Sequence, residues 1–85
     1  MNVSQSPMPC QAGETYAVKA FDGTPPYEFA LAPSPPNPPG LGLTWQGNTA
    51  SVSVPASLPP GTLLRVVVTD SSDPPQRITA VNQTA

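Results

Sequence analysis

The residues Gly23 to Ala30 read GTPPYEFA, and the sequence VVVTD occupies Val66 to Asp70. In the first stretch a turn of glycine and proline precedes an alternating segment in which Tyr27 and Phe29 share one face. Proline presets the backbone of the turn, and alternation with a period of two is typical of a strand with one buried face. The second stretch is rich in β-branched valine and ends at a turn-favouring aspartate. Together the two stretches predict a small all-β domain.

The same alternation recurs along most of the chain, with turn signals between the segments. The predicted strands occupy residues 14–21, 27–31, 41–45, 49–54, 62–69 and 77–84. Residues 1–9 are polar and contain two prolines, so they form either an irregular lead-in or a seventh, edge strand. The dipeptide Gly47-Asn48 predicts a hairpin between two of the strands. This pattern predicts a single domain, residues 1–85, folded as an immunoglobulin-like antiparallel β-sandwich of six to seven strands.

The alternation also predicts which side chains form the core. They are Tyr16, Val18, Tyr27, Phe29, Leu31, Leu43, Trp45, Val52, Val54, Leu64, Val66, Val68 and Ile78. The last strand is the least certain, because Ile78 and Ala80 compete with Val81 for the buried face and the pattern specifies its register poorly.

The connection between the second and third predicted strands is rich in proline. Residues 32–40 contain five prolines and a glycine, which excludes a helix or a central strand. A stiff crossover with polyproline character is the favoured interpretation. The alternative, a proline-rich ligand for a signalling domain, is disfavoured because no basic residue flanks the segment and two strands tether it.

Composition excludes several classes of function. The 85 residues include 14 prolines and 6 glycines, but only 9% are charged, which argues for a folded rather than a disordered chain. Five acidic and three basic residues give a net charge of −2, without the cationic cluster that nucleic-acid binding requires. With no histidine and a single cysteine, the chain by itself assembles neither a zinc site nor a histidine-activated nucleophile.

The five carboxylates are the remaining candidates for catalysis or metal binding: Glu14, Asp22, Glu28, Asp70 and Asp73. An acid and base pair of a glycosidase would need a substrate cleft that 85 residues leave little room to build, so we expect no enzyme activity. Asp22, Asp70 and Asp73 lie in predicted loops and are candidate calcium ligands. Turn capping by these side chains is the favoured interpretation, because no Asp-x-Asp spacing is present. We therefore expect no cofactor.

Two further residues have alternative interpretations. Cys10 is expected to pack as a small apolar side chain near the first strands, and the alternatives are an intermolecular disulfide or a reactive thiol. Trp45 together with the two tyrosines would form a stacking platform for sugars, which makes carbohydrate an alternative partner. Their alternating positions favour packing in the core instead.

Five short motifs follow one another along residues 9–72. They are Gly13-Glu14-Thr15-Tyr16, Gly23-Thr24-Pro25-Pro26-Tyr27, Pro39-Gly40-Leu41, Pro60-Gly61 and Val68-Thr69-Asp70. In this order and spacing they resemble the immunoglobulin-like (cadherin-like) repeat found in bacterial surface proteins and phage structural proteins. One departure is the segment 48–54, a plain strand where the family usually has a further turn. The resemblance implies a non-enzymatic module for spacing, adhesion or docking, and it names no partner.

Two interpretations of that module stay open. The favoured one is a small virion decoration or appendage subunit that binds other copies or a capsid, appendage or surface protein. It fits the start at Met1, the lack of a leader-like segment, the lone cysteine and a last strand able to pair with a neighbouring chain. The alternative is a spacer or adhesion repeat of a bacterial cell-surface or secreted protein.

Both interpretations place the protein in a virion or at the cell surface or outside the cell, and both make the same surfaces important. Alternation leaves Leu63, Arg65 and Val67 on the outer face of their strand, which is half apolar. We expect contacts to involve these three residues and the two tails. No apolar stretch approaches the ~20 residues of a membrane span, so membrane insertion is not expected.

Overall fold

A computed structural model describes residues 1–33 and 36–85. Ser34 and Pro35, within the predicted proline-rich crossover, lie outside the described residues. The strands are β1 (Asn2–Ser6), β2 (Thr15–Phe21), β3 (Glu28–Leu31), β4 (Gly42–Gln46), β5 (Thr49–Ser53), β6 (Leu63–Thr69) and β7 (Arg77–Gln83). In the described part of the chain, no helix is long and apolar enough to cross a membrane.

The strands form two antiparallel sheets, with the order β1-β2-β5-β4 in one and β3-β6-β7 in the other. The predicted all-β class and strand number are therefore confirmed. Most of the proposed lead-in is the edge strand β1, which pairs with β2 from Asn2↔Phe21 to Ser6↔Ala17. The chain then reaches the other sheet, where Cys10 forms a parallel bridge with Thr84. The N-terminal segment thus connects both sheets along one side of the protein.

The core lies between the sheets and contains most of the predicted residues. Those that are buried are Tyr16, Val18, Tyr27, Phe29, Val52, Val54, Leu64, Val66 and Val68. Leu31 and Leu43 are partly buried against this cluster, and Ile78 is half-buried. Trp45 was predicted wrongly, because 48% of its surface is exposed. It lies on the edge strand β4 and meets the other sheet at the edge strand β3, where burial is incomplete.

The buried face of β7 includes polar residues. Its inward positions include Ala80 and Asn82, and Thr84 follows in the same alternation, whereas Val81 faces outward with 44% of its surface exposed. The Asn82 Nδ2 donates to the carbonyl of Pro7 at 3.1 Å, and the Thr84 hydroxyl donates to a backbone carbonyl at 2.7 Å. Buried polar groups are tolerated when they are hydrogen-bonded, so these partners offset the burial of an amide and a hydroxyl.

The predicted hairpin at Gly47-Asn48 joins β4 and β5. Gly47 has φ +63° at the first loop position, where a type II′ turn calls for a positive φ. The side-chain amide of Asn48 donates to the carbonyl of Ala20 at 3.1 Å, and the backbone carbonyl of Asn48 accepts from the Ala20 N–H at 2.8 Å. The hairpin tip is therefore held against β2.

Tyr16 provides a test of the energetics of this core. The residue is 1% exposed, its hydroxyl has no hydrogen-bond partner among the described residues, and burial together with the nearby Cys10 raises its pKa to about 12. Because an unsatisfied buried hydroxyl costs free energy, Tyr16→Phe is expected to raise the free energy of unfolding by about 1 kcal/mol, measured by urea denaturation.

Tyr27 supplies the matched control, since its hydroxyl accepts from the Gly23 N–H at 3.0 Å. Tyr27→Phe removes this bond and should lower stability by about 1 kcal/mol. Equal losses in the two variants would contradict this account of Tyr16.

Candidate interaction surfaces

The outward side chains of β6 and β7 form the surface that we call the β6–β7 outer face, comprising Leu63, Arg65, Val67, Thr79 and Val81. Arg65 lies opposite Val81 and Val67 lies opposite Thr79 in the antiparallel register. Leu63 and Val81 expose 42% and 44% of their surface, and Arg65 and Val67 are half-buried. The three residues predicted from alternation therefore do face outward, and their role in binding stays a prediction.

Met8 extends the apolar part of this face. Its side chain is 63% exposed, and together with Pro9, Leu63 and Val81 it lines a depression beside the end of β7. The Gln5 Nε2 donates to the carbonyl of Val81 at 2.9 Å, which holds the N-terminal segment next to the depression. Sequence reasoning missed Met8 because it lies in a segment without periodicity. It left Val81 ambiguous because Ile78 and Ala80 were equally apolar alternatives.

The outer face of the other sheet has a different chemistry. Its exposed side chains are mainly small and hydroxyl-bearing: Ser4, Ser6, Thr15, Thr44, Thr49, Ser51 and Ser53. Phe21, 39% exposed at the end of β2, is its large apolar residue. This contrast makes the hydroxyl-rich face a suitable control surface for substitutions.

The two tails are held by hydrogen bonds. The amino group of Met1 donates to the Gln76 Oε1 at 2.7 Å, and the N–H of Ala85 donates to the carbonyl of Cys10 at 2.8 Å. The N–H of Cys10 in turn donates to the carbonyl of Gln83 at 2.9 Å. The sequence suggested that β7 could pair with a neighbouring chain. In the C-terminal half of β7 this suggestion is wrong. There the chain's own N-terminal segment occupies the edge, which protects it from pairing.

Cys10 is buried, with 1% of its surface exposed. Its thiol donates to the carbonyl of Gln83 at 3.3 Å, and burial raises its pKa. A thiol that is buried and protonated is a poor nucleophile, because the thiolate is the reactive form. The structure supports the interpretation of Cys10 as a packed small side chain.

Asp70 organises the loops at one end of the sandwich. Its carboxylate is 5% exposed and accepts hydrogen bonds from the hydroxyl and N–H of Ser72 at 2.6 and 3.2 Å, the N–H of Gln76 at 2.7 Å and the N–H of Thr24 at 3.3 Å. These donors, the Ser72 hydroxyl foremost, lower its pKa to about 2 against the opposing effect of burial. Asp70 therefore ties the β6–β7 loop to the β2–β3 loop.

The other two candidate calcium ligands have different surroundings. Asp22 adopts φ +59° in its turn and accepts from the Asn2 Nδ2 at 3.4 Å, whereas Asp73 is exposed. Among residues 1–33 and 36–85, no three acidic, histidine or cysteine side chains are grouped closely enough to hold a metal ion. Both oxygens of Asp70 already accept hydrogen bonds, which supports turn capping as its role.

Trp45 lines an open depression between the β2–β3 loop and the β4–β5 hairpin. We call this depression the Trp45 groove, and its lining residues are Pro25, Pro26, Tyr27, Trp45, Gly47 and Asn48. The indole lies 6.2 Å from the ring of Phe29, centroid to centroid, at an interplanar angle of 47°. Trp45 also borders a second, polar depression lined by Thr44, Gln46, Thr49 and Ser51. None of these lining residues carries a charge.

The chain was compared with protein-family models, with curated proteins and with solved structures, and none of the three comparisons finds a match.

Proposed function

We propose that this protein is a non-enzymatic, immunoglobulin-like module that docks onto a protein surface, as a decoration or appendage subunit of a virion. The observation that carries the proposal is the β6–β7 outer face. Met8, Leu63 and Val81 are 63%, 42% and 44% exposed and line one depression. Single exposed apolar residues are ordinary, but a contiguous group of them is typical of an interaction site.

The strand order supports the immunoglobulin-like part of the proposal. In the seven-strand immunoglobulin constant-type sandwich, strands A, B, E and D form one sheet and strands C, F and G form the other. Lettered in chain order, the sheets β1-β2-β5-β4 and β3-β6-β7 have this same arrangement.

The distribution of charge supports a docking role for the same face. Arg65 and Arg77, two of the three basic residues of a chain with net charge −2, lie on the outward side of β6 and β7. Glu28 lies at the far edge of this sheet, on β3. Cations at the rim of an apolar patch raise the rate of encounter with an acidic partner surface.

The surroundings of the carboxylates support a role without catalysis. Asp70 accepts four hydrogen bonds and has a pKa of about 2, so it stays ionised and is a poor proton donor at neutral pH. The four other carboxylates are exposed, whereas a carboxyl that acts as general acid usually lies in a buried, apolar pocket.

The docking proposal predicts a specific response to charge on the β6–β7 outer face. Leu63→Glu and Val81→Glu place carboxylates in the proposed contact, and burying an unpaired charge is strongly unfavourable. We expect each variant to lower the particle-bound fraction roughly tenfold or more, measured by density-gradient fractionation of the native source with imaging of the fractions.

Ser51→Glu is the matched control, because it adds the same charge to the hydroxyl-rich face of the other sheet. It should leave the bound fraction unchanged. If the native protein is recovered only as a free monomer, or if Leu63→Glu and Val81→Glu bind as well as Ser51→Glu, the docking proposal is wrong.

One observation favours the second candidate, a spacer or adhesion repeat of a bacterial surface protein. Met1 is held at the Gln76 end of the sandwich, and Ala85 is held beside Cys10 at the opposite end. This placement suits modules joined end to end along a longer chain. Detection of the sequence within a larger polypeptide by mass spectrometry of the native material would favour this candidate.

A further inference from the structure

The strand β4 is an unprotected sheet edge. It is the last strand in the order β1-β2-β5-β4, and its five residues, Gly42–Gln46, include no charged residue and no proline. Among residues 1–33 and 36–85, no hydrogen bond outside the strand ladders engages the backbone of β4. Proteins usually block such an edge with a charge, a proline or a covering segment, because its free backbone groups otherwise pair with another strand.

The three other edge strands carry the protection that β4 lacks. The end of β7 is bridged by Cys10 of the N-terminal segment. The short strand β3 begins with the charged Glu28. The strand β1 lies between the charged amino group of Met1 and Pro7. The edge best suited to pairing with another chain is therefore β4.

The register shows which backbone groups of β4 point away from the sheet. Asn48 and Val54, at the two ends of β5, both hydrogen-bond through their backbone to β2 or to the segment just before it. Alternation therefore turns the odd-numbered residues of β5 towards β4, where they lie opposite even-numbered residues. The N–H and C=O groups of the odd-numbered residues of β4, Leu43 and Trp45, are left facing the open edge.

We propose that β4 pairs with β4 of a second copy of this chain, antiparallel and related by a two-fold axis at Thr44. In this register each Leu43 lies opposite Trp45 of the second copy. Their outward N–H and C=O groups form two hydrogen bonds for each such pair, and the dimer contains two pairs. The whole of β4 is then aligned with itself, and the two four-stranded sheets become one continuous sheet.

The side chains of β4 are complementary in the same register. On the inner side, Leu43 is partly buried and Trp45 is 48% exposed, so the second copy covers apolar surface that one copy leaves open. On the outer side, the two Thr44 side chains form a cross-strand pair, which is a favourable combination. Because β4 carries no charge, two identical edges meet without like-charge repulsion.

An extended strand of a different protein is the main competing occupant of this edge. The second copy is favoured because the same five residues supply the donors, the acceptors and the apolar side chains of both halves of the contact. The β4 edge is separate from the β6–β7 outer face, which belongs to the other sheet. Self-association through β4 therefore does not rest on the proposed docking.

Sedimentation of the intact protein tests the association. We expect a reversible monomer–dimer equilibrium with a Kd between roughly 10 μM and 1 mM, because pairing of one short strand buries less surface than a standard protein interface. Trp45 is the single tryptophan of the chain, so its fluorescence reports on the contact directly. Its emission should move to shorter wavelength as the concentration rises and the indole is covered.

Crosslinking tests the register. In the proposed dimer the two Thr44 residues form a pair without hydrogen bonds, with Cα atoms about 4.5 Å apart, which is within the range of a disulfide. Thr44→Cys should therefore give a covalent dimer under mild oxidation. Ser51→Cys, on the neighbouring strand and the same face, is the matched control, because its two copies would lie about 14 Å apart. Cys10 is 1% exposed, so the parent protein should give no such product.

Charge at the two-fold axis tests the contact in a second way. Thr44→Glu and Thr44→Lys each place like charges opposite one another, and each should weaken self-association roughly fivefold or more. An equimolar mixture of the two variants should associate at least as well as the parent protein, because the charges are then opposite. Leu63→Glu, on the β6–β7 outer face, should dimerise like the parent protein.

Three results would overturn the proposal. They are a parent protein that stays monomeric at about 1 mM, oxidation of Thr44→Cys to a dimer no faster than Ser51→Cys, and association that Leu63→Glu abolishes while Thr44→Glu keeps it. The last result would place the contact on the β6–β7 outer face. Circular dichroism checks the fold of each variant, and if one Thr44 variant does not fold, the others decide.

Discussion

Phe29→Ala is expected to lower the free energy of unfolding by about 3 to 5 kcal/mol. Phe29 is 2% exposed, pairs with Val68 across β3 and β6 and supports the indole of Trp45, so alanine would leave a cavity where the two sheets meet. Total stability of a domain of this size is on the order of 10 kcal/mol, so a large part of it depends on this ring. Urea denaturation followed by circular dichroism gives the change.

Phe21→Ala is the matched control, because its ring is 39% exposed on the outward side of β2. Surface substitutions usually change stability by about 0.5 kcal/mol or less. Trp45 fluorescence should also report greater exposure of the indole in Phe29→Ala. Similar losses of unfolding free energy in the two phenylalanine variants would contradict the role of the Phe29 ring in the contact between the sheets.

Asp70→Asn is expected to be the most destabilising conservative substitution in the loops. The carboxylate accepts from N–H groups on two loops, with Ser72 and Gln76 on one oxygen and Thr24 on the other. An asparagine amide replaces one acceptor oxygen by a donor, which leaves either the Thr24 N–H or the Ser72 and Gln76 groups facing a donor. Asp73→Asn, an exposed change in the same loop, is the control and should have little effect.

The low pKa of Asp70 also predicts how stability depends on pH. Its pKa is lowered from 3.8 to about 2 in the folded protein, so folding favours the ionised form. The stabilisation is fully present above pH 3.8 and is lost as the pH falls through about 2, because protonation removes the acceptor. Thermal unfolding between about pH 5 and pH 2 should show a steeper fall in Tm for the parent protein than for Asp70→Asn. Parallel curves would contradict this assignment.

Residues in the central strands were predictable because both neighbours and the opposite sheet are present. In β2, β5 and β6, strict alternation predicted Tyr16, Val18, Val52, Leu64 and Val66 as buried, and each is at most 1% exposed. When one face of a strand is fully covered, an alternation with a period of two allows only one assignment of the buried residues. Burial is therefore easier to predict for a central strand than for an edge strand.

The candidate binding residues were harder to predict because they lie at edges. Trp45 has the alternation of a core residue, but β4 is an edge strand and leaves half of the ring exposed. Met8 belongs to a segment whose placement depends on long-range hydrogen bonds, from Gln5 to the carbonyl of Val81 and from Asn82 to the carbonyl of Pro7. The local sequence pattern does not indicate which sheet edge a neighbouring element covers. Both surfaces could therefore be identified only from the tertiary structure.

The N-terminal segment that connects the two sheets has a mechanical consequence. Tension applied between Met1 and Ala85 acts along the sandwich, parallel to the strands that carry the two ends. The β1–β2 and β6–β7 ladders would then be loaded in shear, with many hydrogen bonds resisting together instead of opening one after another. The bridge between Cys10 and Thr84 would have to break before the last strand slides free. Resistance to force is governed by the rate of unfolding, so this geometry favours a module that tolerates pulling better than its modest size suggests.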